Sequence, residues 1–218
     1  MAQFDLYDRL QRQTSTTTAL TRYLIRHPEY LREVLAGLQA GKGQAAIKFG
    51  CSKLLISISA RQPEVLYPYF NDIVALLEHN NSILRWSAII TLAHLTPADT
   101  GNKFEKIFAR YYAPITGPVM ITAANIVKSS AVIARAKPQL TPAIVNELLK
   151  VDKARYATAE CKKIVQGKAI ETFSAMFDLI DDKQAVIKFV TQQVRNTRAA
   201  TAKKAASFLK KHRAYLQG

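Results

Sequence analysis

The sequence predicts an all-α chain, a tandem array of about five helix pairs plus a C-terminal helix. Three observations carry this. Glycine and proline, which punctuate secondary structure, number only 8 each in 218 residues, so long segments run unbroken. Four prolines, Pro28, Pro63, Pro97 and Pro138, recur at separations of 35, 34 and 41 residues. Each follows a long apolar segment and precedes an amphipathic one. A proline in a first helical turn loses no hydrogen bond, because its N–H would have no intrahelical partner there. Each proline therefore marks the start of the second helix of a pair, and two helices in about 35–45 residues is the period of a helical repeat array.

The elements follow in order. Residues 1–14 form a lead-in, ending in the hydroxyl run that begins at Thr14. Residues 15–27 and 28–39 make the first pair. Residues 44–61 and 64–78 make the second. The run Leu54, Leu55, Ile56, Ser57, Ile58 invites a strand reading, but its segment is long and has no internal turn signal except Gly50. Residues 82–95 and 102–112 come next, the latter with Phe104, Ile107, Phe108 and Tyr111 at helical spacing. Thr116-Gly117-Pro118 leads into residues 118–137, followed by 141–151. Asp181-Asp182 caps the second helix of the pair 160–179 and 182–194. Residues 196–216 close the array as a basic capping helix, and residues 1–218 read as one domain. Gly50 and Gly167 sit at comparable places near the starts of long helices. A helix-interior glycine costs about 1 kcal/mol against alanine, so the pair predicts close approach of a neighbouring helix.

Asn81-Ser82-Ile83-Leu84-Arg85-Trp86-Ser87-Ala88-Ile89-Ile90-Thr91-Leu92-Ala93 resembles the helix start of HEAT repeats: a small polar residue, then an arginine, then inward-packing alanine and leucine. With the four prolines, the resemblance covers about residues 15–216 and implies a right-handed α-α superhelix, an armadillo-type solenoid. The chain departs from the pattern where Asn80 and Asn81 replace the frequent turn aspartate, and where Met120 and Ile121 stand in place of the arginine. The family's second helices usually line its concave surface.

Charge is unevenly spread. Lys and Arg total 31 against 16 Asp and Glu, a net charge of +15. Residues 1–109 carry +3 and residues 110–218 carry +12, and residues 183–218 hold nine basic residues and no acidic one. Lys103, Lys106 and Arg110 form a stripe at i, i+3, i+7. Lys150 and Lys153 make a similar pair after Asn146, and Lys188, Gln192 and Arg195 repeat the spacing. On the final helix Ala202, Ala205, Leu209 and Leu216 share one face, with Phe208, His212 and Tyr215 beside it. Lys203, Lys204, Lys210 and Lys211 take the opposite arc. A polar outer face suits a terminal cap, but acidic residues would serve a cap equally well. If the second helices line a groove, as the resemblance implies, these cations form a basic row. Such a row concentrates anionic partners and would bind nucleic acid by releasing counterions.

No catalytic constellation stands out. His27, His79, His94 and His212 are scattered, without metal-ligand spacing; His27 and His79 lie at helix ends, where they complement the dipole. Cys51 and Cys161 form neither a disulfide framework nor a zinc site. Glu171 and Asp178 are two helical turns apart, too far to share a proton. Thr116-Gly117-Pro118 lacks the residues of a phosphate loop. Asn125 reads as a buried amide bonding to an adjacent turn, Trp86 as core and Arg85 as an inter-repeat hydrogen bond. The absence of a signal-like start or a long apolar run predicts a cytoplasmic protein with no membrane association. The expected function is a non-catalytic scaffold that binds an acidic protein or nucleic acid, without metal or cofactor. The alternative is a HEAT-like DNA-repair glycosylase acting on alkylated bases. It would share the length, the helical array and the basic groove, with Tyr67, Tyr69, Tyr111 and Tyr112 as stacking aromatics.

Overall fold

The computed structural model describes residues 4–41 and 43–215, and every regular element among them is helical. The first helices are α1 (Leu6–Gln11), α2 (Thr17–Arg26), α3 (Leu31–Gly37), α4 (Ala45–Arg61), α5 (Pro63–Leu66), α6 (Phe70–Ala75) and α7 (Ser82–Leu95). They are followed by α8 (Lys103–Tyr112), α9 (Met120–Ala136), α10 (Thr141–Leu149), α11 (Ala159–Met176), α12 (Gln184–Gln193) and α13 (Ala199–Lys211). Short 3₁₀ turns join many of them. No helix among the described residues is long and apolar enough to cross a membrane.

Side-chain oxygens set several of the starts. Thr16, Asn81 and Thr158 accept bonds from the first free N–H groups of α2, α7 and α11, replacing partners that an isolated helix end would lack. Asp99, 5% exposed, caps α8 with both oxygens, accepting from the N–H groups of Lys103 at 2.8 Å and Phe104 at 2.9 Å. The four repeating prolines act as expected. Pro28 and Pro138 open the 3₁₀ turns that run into α3 and α10, Pro63 opens α5, and Pro97 lies in the turn at Thr96–Ala98 before α8.

The structure corrects three segments. The stretch read as one helix over 64–78 is broken into α5, a turn at Tyr67–Tyr69, α6 and a turn at Leu76–Glu78. Pro68, with no N–H to give, accounts for the first break. The lead-in 1–14 contains α1, capped by Asp5 and anchored by buried Leu6. The final helix, read as 196–216, is α13 followed by a 3₁₀ turn at Arg213–Tyr215; Leu216 lies outside the described residues.

The chain divides into two compact units, Met1–Phe104 and Glu105–Gly218. In the first, α4 is central, with α2 and α3 packed against it and α7 alongside. Leu20 and Leu24 of α2, Leu54, Leu55 and Ile58 of α4, and Leu84 and Leu92 of α7 fill its core. In the second, α11 lies between α9 and α13, and α12 packs on α13. Ile126, Val165, Ile170, Phe173, Val190, Ala205 and Phe208 are buried there. Both helix glycines mark close approaches. A Cβ on Gly50 would meet Leu10 Cδ2 of α1 at 2.6 Å, and one on Gly167 would meet Thr201 Oγ1 of α13 at 2.8 Å.

Candidate functional site

The position of α13 is fixed by three sets of contacts. Thr201, buried at its first turn, donates its hydroxyl to the Lys163 carbonyl of α11 at 2.8 Å. Ala205 and Phe208 are buried in mid-helix. Beyond them Phe177 meets the rings of Phe208, His212 and Tyr215 edge-on or tilted, with centroids at 5.2, 4.0 and 5.4 Å. The Lys183 ammonium lies over Phe177 and Tyr215. Held this way, the helix turns Lys203, Lys210 and Lys211 to water.

A cleft of about 460 Å³ runs between α11 and α13. Ile170 and Phe208 form its floor, Ala200 and the serines Ser174 and Ser207 its sides. Lys203, Lys204 and Lys211 line it too, so three predicted cations come together at one groove. The fourth cationic residue of the predicted arc, Lys210, is exposed on the same helix outside this lining. Glu171 is the one carboxylate lining the cleft. It pairs with Lys204 at 2.8 Å and Lys168 at 3.2 Å. Partial burial pushes the Glu171 carboxyl up, but the hydrogen bonds and charges of those two lysines outweigh this and hold it below its usual value.

The predicted cations separate into two groups, and three of the eleven have partners within the fold. Lys103 is half-buried, with its ammonium 4.8 Å from the centroid of Tyr67 and 5.8 Å from that of Phe70, so it leaves the stripe to sit over rings. Lys150 is neutralised by Glu147 at 2.6 Å, and Lys204 by Glu171. Lys106 on α8, Lys153 after α10, Lys188 on α12 and Arg195 after α12 are exposed and form no ion pair among the described residues. Arg110 is exposed on α8. The carboxylates of the second unit are mostly engaged. Glu105 takes Lys137 at 2.9 Å, Asp178 takes Arg135 at 3.2 Å, and Glu160 takes Arg198. The 20 basic residues of 105–218 face only 8 acidic ones, so pairing leaves a surplus on the surface.

A polar cluster around Asp152 was not foreseen. Asp152 Oδ1 accepts from Gln166 at 3.0 Å and Gln193 at 3.3 Å, and the Asn196 amide donates to both glutamines. Gln166 and Gln193 are buried, so each amide needs these partners. The cluster ties the α12–α13 turn to α11. The spacing of its members, spread over three elements, gave no signal in the sequence.

The remaining candidates are placed elsewhere. Tyr111 and Tyr112 are each 1% exposed and offer no stacking surface; Tyr67 donates its hydroxyl to Asp99 at 2.6 Å. Trp86 is half-buried on α7. Arg85 bonds the His79 carbonyl and Ser82 Oγ, within the turn before its own helix, instead of bridging repeats. His79 accepts from the Asn81 N–H at 2.9 Å, and Asp182 from that of Gln184 at 3.0 Å, so both serve turns. Burial pushes the Cys51 thiol up to about 12, far from a reactive thiolate. No group of three His, Cys, Asp or Glu among the described residues could hold a metal ion.

Comparison of the chain with protein-family models, with curated proteins and with solved structures found no match in any of the three.

Proposed function

We propose that the chain is a HEAT-type α-solenoid without catalytic activity, and that it binds an acidic partner, protein or nucleic acid, through its second unit. One observation carries the reading: residues 183–215 present exposed Lys188, Arg195, Lys203, Lys210 and Lys211 with no acidic residue among them. Solubility would be served by either sign of charge, and mixed signs are the commoner solution. A surplus of one sign instead raises the local concentration of anions. Support for the solenoid comes from the recurring prolines and from α2, α4 and α7, then α9, α11 and α13, packing side by side within their units.

The test compares the parent with a variant in which Lys188, Arg195, Lys203, Lys210 and Lys211 are glutamine. Fluorescein-labelled poly-glutamate and a labelled duplex DNA serve as probes. The parent is expected to bind at least one of them, and the variant to bind it at least about tenfold more weakly. Equal binding by both proteins refutes the proposal.

A further inference from the structure

The first unit holds a cleft of about 520 Å³ bordered by α1, the turn into α2, and α4. Gly50 lets Leu10 of α1 lie close against α4. That approach brings two cations to one cavity, Arg9 from α1 and Lys53 from α4. No carboxylate lines it among the described residues. The acids of α1 are engaged elsewhere: Asp5 caps the helix and Asp8 pairs with Arg12 at 2.6 Å. Lys53 is exposed and forms no ion pair among the described residues. Arg9 is held in place without being neutralised. Its guanidinium donates to Ser15 Oγ at 3.2 Å and lies 5.3 Å from the centroid of Phe4. Ser15 Oγ accepts that bond, and Thr16 Oγ1 accepts from the Ala19 N–H at 3.2 Å, so both hydroxyls keep their protons to donate.

We infer that this cleft binds a small phosphate monoester. Such a group carries nearly two negative charges at neutral pH and three strong acceptor oxygens. Two unneutralised cations and a set of hydroxyl donors match it in charge and in hydrogen bonding. The organic part of the ester lies on Leu10 and Phe49, which line the cleft and are half-buried, so part of each is open to a ligand. The volume falls within the range of small-molecule pockets. A polyanion fits less well. Residues 1–104 hold 11 basic and 8 acidic side chains, so the first unit lacks the surplus of cations that a run of phosphates requires. The site shares no residue with the basic surface of the second unit and stands or falls without it.

The experiment titrates the full isotope-labelled chain with phenyl phosphate, inorganic phosphate and phenol, read by the NMR shifts of backbone amides. Phenyl phosphate is expected to saturate the protein below about 1 mM, with the shifts concentrated in residues 9–17 and 45–53. Phenol lacks the charge and inorganic phosphate lacks the ring, so each is expected to bind at least about fivefold more weakly. Lys53→Gln strands no partner, because Lys53 has none to lose. It should weaken phenyl phosphate about fivefold, and Arg9→Gln/Lys53→Gln at least about tenfold. The variant with Lys188, Arg195, Lys203, Lys210 and Lys211 as glutamine should bind phenyl phosphate as the parent does, and Lys53→Gln should bind poly-glutamate as the parent does. Parent-like binding of phenyl phosphate by Lys53→Gln overturns the inference, and so do shifts centred on the second unit. Phenol or inorganic phosphate binding as tightly as the ester also overturns it, as does the absence of saturable binding. Circular dichroism confirms that each variant folds.

Discussion

Replacing Gly167 with alanine tests the packing that holds α13 on α11. A methyl group there gains about 1 kcal/mol of helix propensity over glycine. It would also sit 2.8 Å from Thr201 Oγ1 and 3.6 Å from Thr201 Cβ. The second distance is ordinary contact and the first is an overlap. Thr201 is 1% exposed and its hydroxyl donates to the Lys163 carbonyl at 2.8 Å, so the oxygen cannot move without losing that bond. The lost bond costs about 1 kcal/mol, and an extra methyl in a packed contact costs about 1–3 kcal/mol. Net destabilisation of about 1–3 kcal/mol is expected once the propensity gain is set against these. Thr201→Ala removes the oxygen, and in that background Gly167→Ala should stabilise by about 0.5–1 kcal/mol. Urea unfolding of the four proteins of this cycle should give a coupling of about 2 kcal/mol. Gly50→Ala supplies the contrast. Its methyl meets the mobile end of Leu10, on the six-residue α1, and the side chain can rotate away. The expected change is within about 0.5 kcal/mol. Equal damage at the two glycines, or simple additivity between Gly167 and Thr201, would refute this reasoning.

Three further predictions concern buried charge, pH and the surface. Lys137 is 4% exposed and pairs with Glu105 at 2.9 Å. Lys137→Met strands that carboxylate and should cost about 3 kcal/mol in urea unfolding, with Glu105→Gln restoring part of the loss. Burial lowers the pKa of His94, and of His212, below the ordinary 6.5. The folded state then binds fewer protons than the unfolded one below about pH 6.5, so stability is full above that pH and falls as acid is added. Glu171 and Asp178, also lowered, extend the fall to more acid pH. His94→Gln should flatten the decline between about pH 7 and 5, leaving the part due to His212; an unchanged slope contradicts the assignment. Lys150→Gln, whose parent charge is matched by Glu147, should weaken poly-glutamate binding less than Lys188→Gln does in the same anisotropy titration.

Much of the fold was legible because its signals are local. Residues 82–95 were read as one helix lying ahead of Pro97, and α7 has those bounds. The prolines marked the joints for the same reason. Pro68 was passed over although its missing N–H is an equally local signal, and α1 was hidden by its brevity. The site was harder because it depends on partners far along the chain. Lys150 and Glu147 are three residues apart, so that pairing could have been read from the sequence. Lys204 finds Glu171, and Lys103 finds Tyr67, only after helices pack. The cleft between α11 and α13 was invisible for the same reason, because nothing in the spacing says that a groove remains between two helices.

The cations of the second unit are proposed as the binding face. A salt titration of poly-glutamate affinity tests it most directly, using the parent, the five-glutamine variant and a variant with Arg22, Arg26, Arg32 and Arg61 changed to glutamine. Affinity should fall steeply with salt for the parent and for the variant of the first unit, and much less steeply for the five-glutamine variant. Lines of equal slope for all three proteins would contradict it.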